Sequence, residues 1–299
     1  MAATFDDLVE EILGNLQGYT LTQDLVTSLS ASLDATSTTV KIDMPEGGVG
    51  IGLLEIGDEL VYVKSVDEDA GTLNLLPKGR GWRGTTATTH ASGDTVVVSP
   101  LVPRVRVKAA INDTITSLYP AVFGVGTTEF TWTASNKVAW EIPAEAEQIL
   151  DVRWKDALGN WVKVRCWELV RSADTADFPS GCALRITESL MSGRQVQVVY
   201  GKRPSALTTT TADFTTTGLP ASAKDLITLG TMARLIPAMD AGRLGVQYVS
   251  ADELDQPRQM GSATALAREY ERGFQQALAR EQAALQRLYP GRPHYVSAN

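Results

Sequence analysis

The chain has 299 residues, a formal net charge of −8 at pH 7 and two cysteines. The acidic balance argues against a general nucleic-acid-binding protein, because affinity for phosphates depends on clustered Lys and Arg, and two cysteines cannot form a disulfide framework. No apolar run approaches the roughly 20 residues that a membrane span requires, so no membrane partner is expected. The length predicts two or three domains. The acidic start at residues 1–7, where a signal peptide would be basic, indicates a protein made in a cytoplasm.

The first predicted helix covers residues 4–18. Thr4 is placed to cap it, with Asp7 three residues further on as the capping-box partner, and Gly18 ends it. Its apolar stripe has the helical period and consists of Phe5, Leu8, Ile12 and Leu16. We interpret this helix as one member of a helical bundle.

Residues 22–101 change to the period of β-strands. Short apolar runs are separated by glycine-containing turns, a pattern that predicts a small antiparallel barrel or sandwich. A helical pattern returns at 103–119, between Pro103 and Pro120. Three basic residues stand at its start, namely Arg104, Arg106 and Lys108. Because they oppose the helix dipole, they either face a carboxylate-rich neighbour or form a solvated surface.

Residues 128–204 are again β-rich and contain most of the tryptophans, which are Trp132, Trp140, Trp154, Trp161 and Trp167. At strand spacing such side chains more often fill a core or an interface than stack on sugars or bases. The run 161–167 alternates, which places Val162, Val164 and Cys166 on one buried face. We expect Cys166 and Cys182 to be small buried residues rather than a bonded pair, although the sequence leaves their pairing open.

The last third begins with a polar, threonine-rich linker at 205–221. Ser222 is expected to cap a helix over 222–241, with Asp225 at the capping-box position. Pro237 must kink or end that helix.

The longest predicted helix covers 262–289 and stops before Pro290. Its apolar stripe consists of Leu266, Tyr270, Phe274, Leu278, Leu285 and Leu288. Charged residues, Glu281 among them, are expected to keep its other faces in water. Because so long a helix needs a partner surface, we expect an inter-subunit face formed by Leu266, Tyr270, Phe274 and Leu278.

These elements predict an α+β protein. Its centre is a discontinuous helical bundle made of residues 1–21, 102–120 and 222–289, into which two antiparallel β modules are inserted at 22–101 and 128–204. A C-terminal tail follows at 290–299.

A search for a catalytic, cofactor or metal site gives no candidate. His90, His294 and the two cysteines lack the spacing of a zinc site, and the common nucleotide and hydrolase motifs are missing from the sequence. The glycine-rich run at 79–84 opens no helix and lacks the lysine of a phosphate loop. Carboxylates are numerous, but the sequence places no pair of them in a pocket. We therefore expect a protein that is not an enzyme.

The most specific pattern lies between residues 56 and 94. It consists of Ile56-Gly57-Asp58-Glu59, then Gly71-Thr72-Leu73, then GRGWRGTTATTHASGD at 79–94. This segment resembles a recurring β module of tailed-bacteriophage neck and tail proteins. Ile142-Pro143 and the run at 200–204 resemble the β part of phage neck proteins, and the C-terminal helices with their polar tail resemble head-to-tail adaptor proteins.

The resemblance implies a structural protein of the virion neck, assembled in the host cytoplasm. Such adaptors form a homo-oligomeric ring, a dodecamer, beneath the portal protein and contact a downstream neck or tail protein. Genomic DNA passes through the ring without sequence-specific binding, and an acidic chain suits a conduit along which DNA must slide. The resemblance also implies that the tail docks onto the portal, through Arg292, Pro293, His294, Tyr295 and Val296. The simplest adaptors are smaller and nearly all helical, so the ring number, the neck layer and the lumen residues stay open.

Two other functions remain open. Besides another neck, tail or baseplate role, one is a glycan-binding or receptor-binding virion protein, which would use the tryptophans of 128–204 as stacking platforms. Loss of glycan binding on substitution of Trp154 or Trp161 would favour it. A wall hydrolase would rest on carboxylates alone, and activity in a peptidoglycan turbidity assay would support it.

Overall fold

The computed structural model describes residues 3–18, 23–133, 139–244 and 262–290. Over these residues the chain is an α+β protein with four α-helices and three antiparallel sheets. The helices are α1 (Phe5–Gln17), α2 (Arg104–Ser117), α3 (Lys224–Leu244) and α4 (Ser262–Leu288). The predicted fold class is confirmed at this level, and the predicted helices correspond to these four.

The chain divides into two compact units. The first unit comprises Ala3–Asp113 and Thr228–Arg272, and the second comprises Thr114–Ile227 and Gly273–Asn299 together with Met1–Ala2. The helices α2, α3 and α4 each contribute residues to both units. The predicted division into one bundle and two inserted modules stays a prediction.

One sheet of six antiparallel strands lies in the first unit. Its strands are β1 (Leu25–Ser28), β2 (Thr39–Lys41), β3 (Gly52–Ile56), β4 (Glu59–Asp67), β5 (Thr72–Leu75) and β6 (Thr95–Val98). Their order is β1-β6-β3-β4-β5-β2. The strands form no closed barrel, although an isolated antiparallel bridge joins Leu29 and Ile42, next to the ends of the two edge strands. The sheet encloses an apolar cluster that includes Leu54, Val63 and Val96.

Two sheets lie in the second unit. Their strands are β7 (Gly124–Thr131), β8 (Ala139–Glu141), β9 (Gln148–Lys155), β10 (Trp161–Lys163), β11 (Trp167–Arg171), β12 (Cys182–Ile186) and β13 (Gln195–Lys202). One sheet has the order β10-β9-β13-β7 and the other has the order β11-β12-β8. Both sheets contribute to one apolar cluster, for example through Val152 and Val198 of the first and Leu184 of the second. The predicted antiparallel character of both β regions is confirmed.

The helix α1 forms as its sequence predicts. Thr4 accepts from the N–H of Asp7 and the carboxylate of Asp7 accepts from the N–H of Thr4, so the capping box is complete. The four stripe residues are buried, and Val9 joins them. Gly18 is the C-cap.

The run 161–167 does not form one strand, contrary to the prediction. It leaves the four-stranded sheet after Lys163 and enters the three-stranded sheet at Trp167. Val164 is buried at the crossing, whereas Cys166 is exposed rather than buried. Cys166 and Cys182 are both free thiols. The alternation of apolar and polar residues continues through the point where the chain changes sheet, so the period of the sequence does not reveal that change.

The entry into α3 also differs from the prediction. A 3-10 turn covers Ala221–Ala223, so Ser222 is not the cap of α3. The preceding segment at 205–221 buries Leu207, Phe214 and Leu219. Pro237 lies inside α3, which runs past it to Leu244.

Candidate functional site

The glycine-rich motif at 79–94 folds around one carboxylate, that of Glu59 on β4. Arg80 donates from Nε to Oε1 of Glu59 at 2.6 Å and from Nη2 to Oε2 at 2.9 Å. This two-pronged geometry is the strongest that a carboxylate and a guanidinium can form. Arg80 also donates to the carbonyl oxygens of Asp34 and Thr88. The arginine therefore ties β4 to two separate loops of the first unit.

The same carboxylate accepts from the motif backbone. The N–H groups of Gly81 and Thr88 donate to Glu59 at 3.0 Å and 3.1 Å, and Nε2 of His90 lies 2.9 Å from Oε2. The Glu59 side chain is completely buried. Burial alone would raise its pKa, but the hydrogen bonds from Arg80, Thr88, His90 and Gly81 outweigh burial and lower the pKa of Glu59 to about 2. Glu59 is thus held ionised as a structural anchor.

Two glycines of the motif are required by close backbone contacts. A Cβ at position 79 would lie 2.7 Å from the carbonyl oxygen of Tyr62 and 2.8 Å from that of Leu76. Gly81 has a φ of +59°, and a Cβ there would lie 2.7 Å from the carbonyl oxygen of Thr85. The glycines, Arg80 and His90 of the motif therefore serve the fold of the β module.

A second buried carboxyl group, that of Glu55 on β3, meets the start of α2. Its Oε2 accepts from the N–H of Arg104 at 2.6 Å, so it caps the helix from another element. Burial is the largest influence and raises the pKa of Glu55 to about 7, against the lowering effect of Arg104. Asp24 and Asp58 raise it further. Glu55 therefore titrates near neutral pH.

The basic cluster at the start of α2 faces carboxylates, which decides one question that the sequence left open. Arg104 lies 2.5 Å from Asp6 and forms a second ion pair with Glu10, both on α1. Lys108 pairs with Asp58 and lies 5.5 Å from the ring centroid of Phe5. Arg106, in contrast, is exposed. The cluster joins α1, α2 and the β3–β4 turn within the first unit.

The predicted inter-subunit face of α4 is half-buried in the single chain. Leu266, Tyr270, Phe274 and Leu278 all have intermediate exposure. Further along, Leu285 is buried, whereas Leu288 is 72% exposed. The inter-subunit role of these residues stays a prediction.

Glu281 of α4 is buried, contrary to the prediction that it faces water. It is 5% exposed and accepts a hydrogen bond from Oγ of Ser222 at 2.8 Å. Its Oε1 lies 3.7 Å from Nε of Arg280. Ser222 therefore ties α4 to the segment before α3, and does not cap α3.

The tryptophans of the second unit mostly fill its core, as the sequence predicts. Trp132 and Trp140 are buried and stack with ring centroids 3.9 Å apart, and Phe130 stacks on Trp140 at 5.4 Å. Trp161 is the exception, at 36% exposed, with Nζ of Lys155 5.6 Å from its ring centroid. Among these five tryptophans, Trp161 is therefore the candidate for stacking on a ligand.

The turn between β9 and β10 presents an apolar side chain to solvent. Oδ1 of Asp156 accepts from the N–H groups of Leu158 and Asn160, at 2.8 Å each. These bonds hold the turn, and the N–H of Asn160 is the largest influence that lowers the pKa of Asp156. Leu158 at the tip is 86% exposed. Leu158 and Trp161 are thus two exposed apolar side chains at this end of the sheet.

The predicted portal-docking residues 292–296 lie outside the described residues. Within the described residues no group of three or more His, Cys, Asp or Glu side chains is placed to hold a metal ion. The helices that the structure describes include none that is both long and apolar enough to cross a membrane.

Two functional positions escaped the sequence analysis. Glu55 and Glu59 received no individual role, although each stands within an apolar strand run, at 53–56 and 59–63. An acidic residue in such a run predicts a buried, partnered carboxyl group. The identity of the partner, Arg104 for one and Arg80 for the other, depends on loops that the sequence does not place.

No protein-family model matches this sequence, and a search of curated proteins gives no match either.

Proposed function

We propose that this chain is a structural virion protein, a head-to-tail adaptor that forms a homo-oligomeric, dodecameric ring below a phage portal and surrounds the passing DNA. In this proposal α1 to α4 supply a discontinuous helical bundle, and residues 22–101 and 128–204 are β modules inserted into it. The ring contacts the portal above and a neck or tail protein below. Its place is the neck of the virion.

One observation carries the proposal. The motif that resembles phage neck and tail modules forms a scaffold around Glu59, with the donors of Arg80 and His90 directed at that carboxylate. A motif used in this way supports a structural module, because Arg80 and His90 are engaged inside the fold rather than presented to a substrate.

The tail gives the proposal its test. A variant that ends at Tyr289 should keep the far-UV circular dichroism and melting temperature of the full chain, because the tail follows the end of α4 at Leu288. It should fail to attach to purified portal or to DNA-filled heads, since repeated tail contacts around a ring sum by avidity. A second variant, the full-length chain carrying only Tyr295→Ala, should attach with reduced occupancy, as expected if this side chain is an aromatic anchor.

Attachment of the truncated chain at the occupancy of the full chain would show that the tail is not the tether. The α4 residues Tyr270 and Phe274 would then be the next candidates for the portal contact.

Glycan binding is a second candidate function, favoured by the exposed Trp161 beneath Lys155. It predicts binding on a glycan array that Trp161→Ala abolishes and the neighbouring Val162→Ala keeps. An array without binding for the unmodified chain would remove this candidate.

A further inference from the structure

The four-stranded sheet of the second unit ends in two open edges. β10 pairs only with β9 and β7 pairs only with β13, within the part of the chain that the structure describes. Open edges expose backbone N–H and C=O groups that can pair with a strand of another chain. At the β10 edge, Trp161 and Val162 are 36% and 39% exposed, so apolar area is exposed there as well.

The backbone groups of the two edges point outwards at matching positions. Val164 donates to Val152 across β10 and β9, so Lys163, one residue earlier, directs its N–H and C=O away from β9. Trp132 donates to Arg194 across β7 and β13, so by the same alternation Thr131 and Glu129 direct theirs away from β13. Each edge therefore offers pairing groups two residues apart.

The side chains of the two edges are complementary when the rows of the sheet are continued. One row runs from Lys163 through Arg153 and Gln197 to Glu129. A second copy placed beyond β7 in the same row would set its Lys163 beside Glu129, which joins opposite charges. Glu129 is exposed and accepts hydrogen bonds from the neutral amides of Gln195 and Gln197.

The neighbouring row is apolar. It runs from Val162 through Trp154 and Val196 to Phe130. In the same placement, Val162 of the second copy would lie beside Phe130, and Trp161 beside Thr131. Pairs of an aromatic and a β-branched residue stabilise neighbouring strands.

The strand directions also fit. All three pairings in this sheet are antiparallel, so β10 and β7 run in opposite directions. A second copy can therefore add its β10 to β7 antiparallel, with the same face of the sheet outwards. Such a contact joins two different surfaces, and repetition of it yields a closed ring if the rotation between copies closes.

We propose that copies of this chain assemble through their sheet edges, with β10 of one copy added to β7 of the next and Lys163 placed beside Glu129. The inference rests on the proposed ring, for which it names the contact between neighbours. The pairing makes the sheets of successive copies continuous.

A zero-length carbodiimide crosslink between lysine and carboxylate tests the contact. Within one chain, Glu129 and Lys163 stand at opposite edges, three strand spacings or roughly 14 Å apart, with Arg153 and Gln197 between them. A direct crosslink of the two must therefore join different copies. Concentrated full-length chain should give a ladder of dimers and higher species, in which mass spectrometry finds the 129–163 linkage in mixed pairs of isotope-labelled and unlabelled chains.

Charge reversal supplies the controls. Glu129→Lys alone and Lys163→Glu alone should each lose the linkage at these positions, because each sets like charges side by side. An equal mixture of the two variants should regain it, in its original sense at one kind of mixed contact and with acid and amine exchanged at the other, because both join unlike charges. Lys64→Glu, at an exposed position of β4 in the first unit, makes the same change in net charge as Lys163→Glu and should leave the ladder intact.

The possible results separate this inference from the proposed function. Absence of the 129–163 linkage in the unmodified chain, or a mixture no better than the single variants, overturns the edge contact, even if the chain decorates portals. The linkage in a chain that does not attach to portals supports the edge contact and counts against the adaptor.

Discussion

Glu55 and Glu59 are buried carboxyl groups on neighbouring strands, yet their pKa values move in opposite directions. Glu59 receives hydrogen bonds from four residues of one loop, whereas Glu55 receives the N–H of Arg104 and lies near Asp24 and Asp58. The number and charge of the surrounding groups, rather than burial itself, decide whether such a carboxyl group stays ionised.

Glu59→Gln should destabilise the first unit by about 3 kcal/mol at neutral pH, because Arg80 would remain buried without its carboxylate. The pKa of Glu59 is lowered from 4.5 to about 2, so its stabilising effect is complete above pH 4.5 and disappears as the pH falls towards 2. Urea unfolding at several pH values should show a larger acid loss in the unmodified chain than in Glu59→Gln. Glu68→Gln, at an exposed carboxylate, is the control. An unchanged midpoint for Glu59→Gln would contradict the anchoring role.

For Glu55 we expect the opposite dependence of stability on pH, and in a different pH range. Its pKa rises from 4.5 to about 7, so the folded state holds the proton longer than the unfolded state, and stability falls as the pH rises from 4.5 through 7. At 1.36 kcal/mol per pKa unit, the loss is at most about 3 kcal/mol. Glu55→Gln keeps an oxygen acceptor for Arg104, so it should flatten this slope and be the more stable protein at pH 8. A variant with the same slope as the unmodified chain would show that another group titrates there.

At the scale of elements, the turn that carries Gly79 has no room for a side chain. Gly79→Ala would press a methyl group against the carbonyl oxygens of Tyr62 and Leu76, and overpacking of this kind typically costs about 1–3 kcal/mol. Gly14→Ala is the matched change in α1, where a Cβ meets nothing within 4 Å, and it should stabilise the chain by about 0.5–1 kcal/mol. Thermal melting of both variants measures the difference. Equal melting temperatures would contradict the close contacts at Gly79.

The elements that the sequence predicted well are those decided by local rules. α1 has its cap, its stripe and its end within residues 4–18, and no distant residue is needed to define it. The prediction of a single strand at 161–167 was wrong because strand alternation is the same on either side of a change of sheet. The prediction that Glu281 faces water was wrong because its partner Ser222 is 59 residues away in sequence. The motif at 79–94 was recognisable as a pattern, but its centre at Glu59 required the paired strands to be in place.

At the scale of the whole molecule, we propose that an α+β chain of two compact units forms a ring by repetition of one contact. The acidic chain is compatible with DNA that slides through the ring, because its 35 Asp and Glu residues outnumber its 27 Lys and Arg residues. We expect the isolated chain to be largely monomeric or polydisperse, with the portal as the template for the complete ring. Light scattering after size-exclusion chromatography checks this, and a stable dimer at low concentration would count against a templated ring.

Electron cryomicroscopy of DNA-filled, portal-bearing heads incubated with the purified full-length chain tests the adaptor proposal most directly. The expected result is a single dodecameric ring of this chain on the outer face of the portal, with its C-terminal tails in contact with portal subunits. Heads that carry no such ring, or copies of the chain bound anywhere other than the portal, would contradict it.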